Sequence, residues 1–292
     1  MSGPDVVAVG GGHGLAATIR AVQRYAGCTT AVVSTADDGG STGRLRSAID
    51  MPAPGDLRRC IEAMAGDGGP PLARALDHRF VGSDVEGHAL GNLLLVGLTA
   101  ATGDFVGAVD ELSGLVGLDP AVGRVLPATT DPVVLRAEVT DGRTVTGQVA
   151  IARTVGVARV VVQPADAGVP DEAVEALLDA DQVVLGPGSL YTSVLAAAVV
   201  DGVRDALKRS AGRRVYVCNA RAEAGETRGY DVAAHVAALH RHGVEPDVVL
   251  AQRGGLPVGD VGVEVVEADL VRPNGLAHDP ALLGAALADL VR

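Results

Sequence analysis

Two stretches of this chain place glycines between an apolar run and a helical pattern. That arrangement lets backbone N–H groups reach a phosphate at a helix N-terminus. The first is Gly10-Gly11-Gly12-His13-Gly14-Leu15, with four glycines in five residues, more than a tight turn needs. Gly12-x-Gly14-x-x-Ala17 fits a loose dinucleotide fingerprint, and Asp37 follows Ala17 by twenty positions, where a ribose-binding acid is expected. The loop by itself does not choose between a dinucleotide and another phosphorylated ligand. His13 reads either as a residue lining the loop or as a solvated histidine. The second stretch is Gly186-Pro187-Gly188-Ser189-Leu190-Tyr191-Thr192-Ser193, where the hydroxyls of Ser189 and Thr192 add to the free N–H groups. Ser189 as a plain helix cap is the simpler reading. Two such loops on one sheet point to a ligand that bridges them.

Further polar groups fall between and after these loops. Asp37-Asp38-Gly39-Gly40-Ser41-Thr42-Gly43-Arg44-Leu45-Arg46 combines acids, glycines, hydroxyls and arginines. Asp37 and Asp38 could hold Mg²⁺, which takes oxygen ligands and often bridges to phosphates. Arg44 and Arg46 could grip phosphate or carboxylate; the alternative is a loop in which Ser41 or Thr42 caps the next helix. Asp56, in Pro54-Gly55-Asp56-Leu57-Arg58, reads first as a helix cap and second as a ligand residue. Gly91 and Asn92 sit inside an apolar helical stretch, where a glycine costs about 1 kcal/mol and a buried amide needs partners. Close packing and a polar group aimed at a pocket both fit them. Asn219 and Thr227 fall in polar loops after a strand ending near Cys218. No Gly-x-Ser-x-Gly, His-Glu-x-x-His or zinc-spaced Cys/His set occurs, and no catalytic residue is assigned.

The elements that would carry these loops alternate. Strands are expected at 5–9, 29–35, 159–163, 182–185, 214–218, 247–250 and 263–266. Helices are expected at 15–25, 171–179, 190–199, 231–241 and 280–290. Residues 42–116 are mostly helical, broken at 52–55, 66–71 and 81–87, and the nearly all-apolar helix 89–100 should be buried. Runs 133–139 and 144–151 flank Asp141-Gly142, a type I′ hairpin signal. The sum is one Rossmann-like, doubly wound α/β domain over 1–292, mainly parallel, with a small antiparallel insertion near 120–165.

Composition narrows the function. The 292 residues are 48% hydrophobic with only 2% aromatic, so base-stacking platforms are scarce. A net charge of −12 repels polyphosphate and argues against nucleic acid. Three scattered cysteines suggest buried thiols in a reducing cytosol. The first residues lack a basic stretch, so no signal peptide is expected. Gly-Pro-Gly-Ser and Tyr-Thr-Ser interrupt the apolar stretch 183–203, so no membrane span is expected either. A homodimer is the default assembly.

Taken in order, the loops resemble the gluconeogenesis factor (YvcK-like) family within the CofD-like superfamily. The resemblance rests on Gly10–Leu15, Ala36–Arg46, Pro54–Arg58, Gly87–Leu94, Val125–Thr129, Gly186–Ser193 and Gly225–Thr227, nearly the whole chain. It implies a cleft at the strand ends and a cytoplasmic, UDP-sugar-binding regulator. UDP-N-acetylglucosamine is the type of ligand implied, and cell shape and wall synthesis during gluconeogenic growth the role. A protein partner not yet identified would receive the signal. The related CofD branch implies instead a Mg²⁺-dependent transfer of a phospholactyl-type group from a guanylyl-linked donor to a deazaflavin. The loop at 186–193 and Gly225-Glu226-Thr227 place the chain with the first branch. Two departures stand out: Ala220–Ala224 replaces a more polar set, and Ala277 precedes His278-Asp279 where many members carry arginine. Arg221 and Arg272 are candidate substitutes. On this resemblance Gly11–Gly14 and Gly186–Ser189 take the diphosphate, Asp37 and Asp38 take ribose hydroxyls or Mg²⁺, and Asn92, Asn219 and Thr227 line the sugar or base end. Leu15, Gly39, Gly40, Ser41, Arg44, Asp56 and Thr192 complete the candidate set.

Overall fold

Short apolar runs in this chain become strands buried on both faces. The computed structural model describes residues 3–291, apart from Ser83 and Leu276 and the side chains of Ser47 and Ala48. In chain order its strands are β1 (Asp5–Gly10), β2 (Cys28–Val33), β3 (Gly123–Pro127), β4 (Val134–Val139), β5 (Thr144–Thr146), β6 (Val157–Gln163), β7 (Gln182–Leu185), β8 (Arg213–Val217), β9 (Val248–Gln252) and β10 (Glu264–Ala268). Seven form a parallel sheet in the order β10-β9-β8-β7-β1-β2-β3, and three form an antiparallel sheet in the order β5-β4-β6. The chain lays β1 to β3 toward one edge and β7 to β10 toward the other. The direction therefore switches between β1 and β7, where doubly wound sheets open a crevice at their carboxyl ends.

Side-chain alternation sorts the helices into two layers. Val6 and Ala8 of β1 face α1 (Gly12–Val22), α3 (Gly55–Ala65), α6 (Phe105–Leu115) and α12 (Pro280–Ala288), through Leu15, Ile19, Leu57, Leu112 and Leu283. Val7 and Val9 face the other layer, built from the small sheet and from α8 (Asp171–Asp179), α9 (Leu195–Ala198), α10 (Asp201–Arg209) and α11 (Val232–Arg241). In β4, Leu135 and Ala137 point to the core while Arg136 and Glu138 point out, the pattern of a half-buried strand.

Several expectations needed correction. The expected strand 144–151 stops at Thr146; Gly147, at φ +97°, turns the chain into the short helix α7 (Gln148–Ala152). The hairpin at Asp141-Gly142 is not type I′, because no described non-glycine residue has positive φ. Gly142 N–H donates to Val139 O at 2.9 Å, and Gly142 itself takes φ +86° after an ordinary turn. Strand β3 and helix α10 escape the sequence reading. β3 is short and ends in Pro127, which its edge position tolerates. The helix α5 (Leu90–Thr102) is apolar but not sunk in the core. Gly91, Asn92 and Leu95 are buried, whereas Leu93, Leu94, Val96 and Leu98 are half-buried and Gly97 and Ala100 exposed. It packs mainly along α6, so one side remains outward. Cys60 and Cys218 are buried, as expected for thiols, and Cys28 is half-buried.

Gly97 lies mid-helix, and a Cβ there would meet no atom within 4 Å. Gly97→Ala is expected to stabilise the protein by about 0.5–1 kcal/mol, read as a higher urea midpoint with an unchanged slope.

Candidate functional site

The two glycine loops meet at the β1–β7 switch. Gly12 opens α1 directly after β1, so the first loop already forms the helix end. A Cβ on Gly14 would lie 2.0 Å from Pro187 O, so only glycine fits there. The Thr18 hydroxyl donates to Gly186 O at 2.7 Å and reaches Gly14 O at 3.2 Å, riveting one loop to the other. Gly188 N–H donates to Asn219 Oδ1 at 3.2 Å, which ties the second loop to the segment after β8. Gly11–Gly14, Gly186–Ser189 and Asn219 are thus brought together. Leu15 is wholly buried beneath them.

Both helix starts already hold a carboxylate. Asp56 is not the cap of α3, whose N-cap is Pro54. Its buried side chain pairs with Arg59 at 2.6 Å and accepts the Gly12 N–H. Burial raises the Asp56 pKa and the Arg59 charge opposes that rise. Ser189 takes the N-cap position of the next helix, but its hydroxyl makes no capping bond and donates instead to Glu223 at 2.8 Å. The helix there opens with a π turn, Leu190–Val194, and Glu226 accepts the N–H groups of Tyr191 and Thr192 and the Thr192 hydroxyl. Glu226 is 1% exposed and its Oε2 has no partner. Its pKa is raised to about 7, first by burial and then by Glu223. Thr227 is also buried, its Oγ1 accepting from Glu223 N–H at 2.9 Å.

The acidic pair divides. Asp37 accepts from Gly39 N–H at 2.9 Å and lies over Gly55, beside the start of α3. Asp38 turns away and accepts from Val149 N–H at 2.9 Å, anchoring α7. The two carboxylates hold different backbone N–H groups, and among the described residues no group of three or more His, Cys, Asp or Glu gathers in metal-binding geometry. Arg46 is a brace: it donates to Asp37 O at 3.1 Å and to Val133 O at 2.5 Å. Gly39 and Gly40 start α2 (Gly40–Ala48), whose Ser41 belongs to a second cluster. The Asn92 amide donates to Ser41 Oγ at 3.1 Å, which lies 3.0 Å from His88 Nδ1, and Asn92 Oδ1 is buried without a partner. Arg44 reaches Glu86 O at 2.8 Å. Gly91 lies in the first turn of α5, not mid-helix, pressed against Arg58.

Sequence reasoning missed three groups at the crevice, Arg59, Glu223 and His278, and named Arg221 only as a candidate substitute. Arg59 follows the noted Pro54–Arg58 motif directly, and its charge, more than burial, holds the exposed His13 below its ordinary pKa. Arg221, Glu223 and His278 line a cavity of about 240 Å³ with Asn219 and Ala277. The buried His278 bonds to the Cys218 backbone, burial lowers its pKa to about 4, and its Nε2 has no partner.

Glycine loops that meet at the switch of a doubly wound sheet stand where such α/β folds open their crevice. The family described as 2-phospho-L-lactate transferase CofD matches residues 6–272. The chain is 40% identical to the gluconeogenesis factor of Halalkalibacterium halodurans over 265 residues, 89% of this chain and 80% of that one. It is 39% identical to the gluconeogenesis factor of Bacillus subtilis over 241 residues, 82% of this chain and 75% of that one. A crystal structure of a Bacillus halodurans member of the UPF0052 family superposes with a TM-score of 0.90 at 35% identity, covering 98% of this chain and 99% of that one. The chain belongs to the CofD family, in its gluconeogenesis factor branch. Among the described residues no helix is long and apolar enough to cross a membrane.

Two outcomes follow from this geometry. Gly14→Ala must push Pro187 away and is expected to cost at least about 1–3 kcal/mol, measured by thermal or urea unfolding. Glu226 carries a folded pKa of about 7, above the value of about 4.3 for a free glutamate. Between those values the folded state holds a proton that the unfolded chain has lost. Stability therefore falls as pH rises from about 4.3 through about 7 and then levels. Urea midpoints at several pH values should show that Glu226→Gln lacks this component; a wild-type–variant difference constant with pH would contradict the assignment.

Proposed function

We propose that this protein binds a UDP-sugar such as UDP-N-acetylglucosamine and acts as a cytoplasmic regulator of cell shape and wall synthesis under gluconeogenic growth, signalling to a protein partner. The observation that carries the reading is the contact of Gly14 with Pro187, which faces two glycine loops into one crevice. The adjoining cavity lined by Asn219, Arg221 and His278 extends that crevice. The diphosphate lies along Gly11–Gly14 and Gly188–Ser189. Its charge is met by Arg59 and Arg221, because Asp56 and Glu226 already take N–H groups at the two helix starts.

Asp37 serves the ribose hydroxyls or one Mg²⁺. A single carboxylate plus ligand phosphates suits that ion, which seldom has an all-protein cage. Asp38, anchored to α7, has no part in it. Asn92, with its free Oδ1 beside Ser41, offers an acceptor to a ligand donor.

The test is thermal unfolding, with and without Mg²⁺, against UDP-N-acetylglucosamine, UDP-glucose, NAD, GDP and a deazaflavin. A ligand at a hundred times its Kd adds about 2.7 kcal/mol, or several degrees at roughly 2–4 °C per kcal/mol. A shift is expected with the UDP-sugars, and Asn219→Ala and Arg221→Ala should each weaken it, Arg221→Ala without lowering the unliganded Tm. A shift with GDP and deazaflavin alone would overturn the reading in favour of the transferase chemistry that gives the family its description.

A further inference from the structure

Away from the crevice, a cavity of about 210 Å³ opens between β6, the start of α10 and the end of α11. Arg159, Arg204 and Arg241 reach it from those three elements. Lys208, the single lysine of the chain, lies beside Arg204 against Gly243. In a chain of net charge −12 this is a local reversal of sign.

These cations are incompletely neutralised. Arg204 meets Asp201 at 2.8 Å and Asp205 at 4.0 Å. Arg241 donates to the Tyr191 hydroxyl at 3.3 Å, a neutral partner. Among the described residues neither Arg159 nor Arg241 meets a carboxylate within 4 Å.

The wall of the cavity is ordered. β6 pairs with β4 on one side only, so its other side is a free edge. Val160 N–H on that edge donates to Nε2 of the buried His242 at 2.9 Å, and His242 Nδ1 lies 2.7 Å from Ala238 O. The ring is thereby fixed as a neutral tautomer, with Nδ1 the donor. Strand alternation aims Val162 N–H the same way as Val160 N–H, along the cavity.

We propose that this cavity is a binding site for a small oxyanion of the phosphate class, gripped between the guanidinium groups of Arg159 and Arg241 with Arg204 on the third side. Guanidinium forks match the tetrahedral oxygens of phosphate in pairs. A volume of about 210 Å³, below the roughly 300–1,000 Å³ of drug-sized pockets, has room for inorganic phosphate or a short phosphate monoester. The site also touches the crevice. Arg241 holds the Tyr191 hydroxyl, and Tyr191 N–H is held by Glu226. An anion that draws on Arg241 thus acts on a residue of the second glycine loop.

The experiment is isothermal titration of the full chain at constant ionic strength, with inorganic phosphate in one arm and glycerol 3-phosphate in the other. Saturable one-site binding is expected. Arg159→Gln and Arg241→Gln should each weaken it by about tenfold, the scale of one charge-assisted hydrogen bond. Asn219→Ala, in the crevice, should leave it unchanged. Arg159 is exposed, so its variant should keep the wild-type Tm, and that check separates lost binding from lost fold. Tighter binding of the ester identifies a phosphorylated metabolite as the ligand, and binding of phosphate alone identifies the free ion. Absence of binding, or binding lost in Asn219→Ala but kept in both arginine variants, would overturn the proposal. Neither result would touch the UDP-sugar reading, which has its own ligands and variants.

Discussion

The constraint on which the crevice depends is the seat of Gly14 on the Pro187 carbonyl. Neighbouring parallel strands stand only about 4.7–4.9 Å apart, so two loops leaving adjacent strands compete for the same space above the sheet. Here the conflict is resolved by deleting a side chain on one loop and bridging both with the Thr18 hydroxyl. Because β1 and β7 are also where the chain changes direction, this contact fixes the floor of the crevice and the approach of α1 to the sheet. Asn219 then fixes the third strand end against the second loop. Three segments far apart in sequence are thereby set as one surface of backbone donors.

Electrostatics at that surface differs from the simple helix-end picture. A helix start favours an anion, and in this protein Asp56 and Glu226 supply it from within. Their burial makes both poor hosts for full negative charge, which is why each pKa rises. A diphosphate brought to the same place meets like charge, with little water to screen it. Arg59, bound to Asp56 but partly exposed, is the group that offsets this on the first loop. On the second loop Glu223 stands beside Glu226 and Ser189. There an anion depends on Arg221 and on whether Glu226 carries its proton.

What could be read from the sequence was what depends on local chemistry. Glycine loops after apolar runs, the strand–helix rhythm and the parallel sheet all follow from neighbours in the chain, and they are present. The errors came where a side chain answers to a distant segment. Asp37 and Asp38 look equivalent in sequence, yet successive residues of an extended loop point opposite ways. Asp38 meets a helix, α7, that the β-rich composition of 144–151 concealed. Arg46 reads as a phosphate grip and serves as a brace because Val133 lies across from it. Glu226 sat in a recognised motif, but its role depends on N–H groups 35 residues earlier in the chain. Burial of α5 was inferred from composition alone, which does not say how many neighbours a helix will find.

The departures from the family pattern also become physical. An arginine before His278-Asp279 would add a cation to the cavity shared by Asn219 and His278; this chain has Ala277 there. Arg221 enters the same cavity from the β8 side, with a guanidinium nitrogen 2.7 Å from where a Cβ on Gly275 would stand. A larger residue at 275 would close that approach. Arg221 thus brings a cation to the cavity from the loop after β8. His278 cannot take over the charge, because burial holds its pKa near 4 and it is neutral at neutral pH. With Glu223 in the same wall and His278 neutral, Arg221 is the one cation lining this cavity among the described residues.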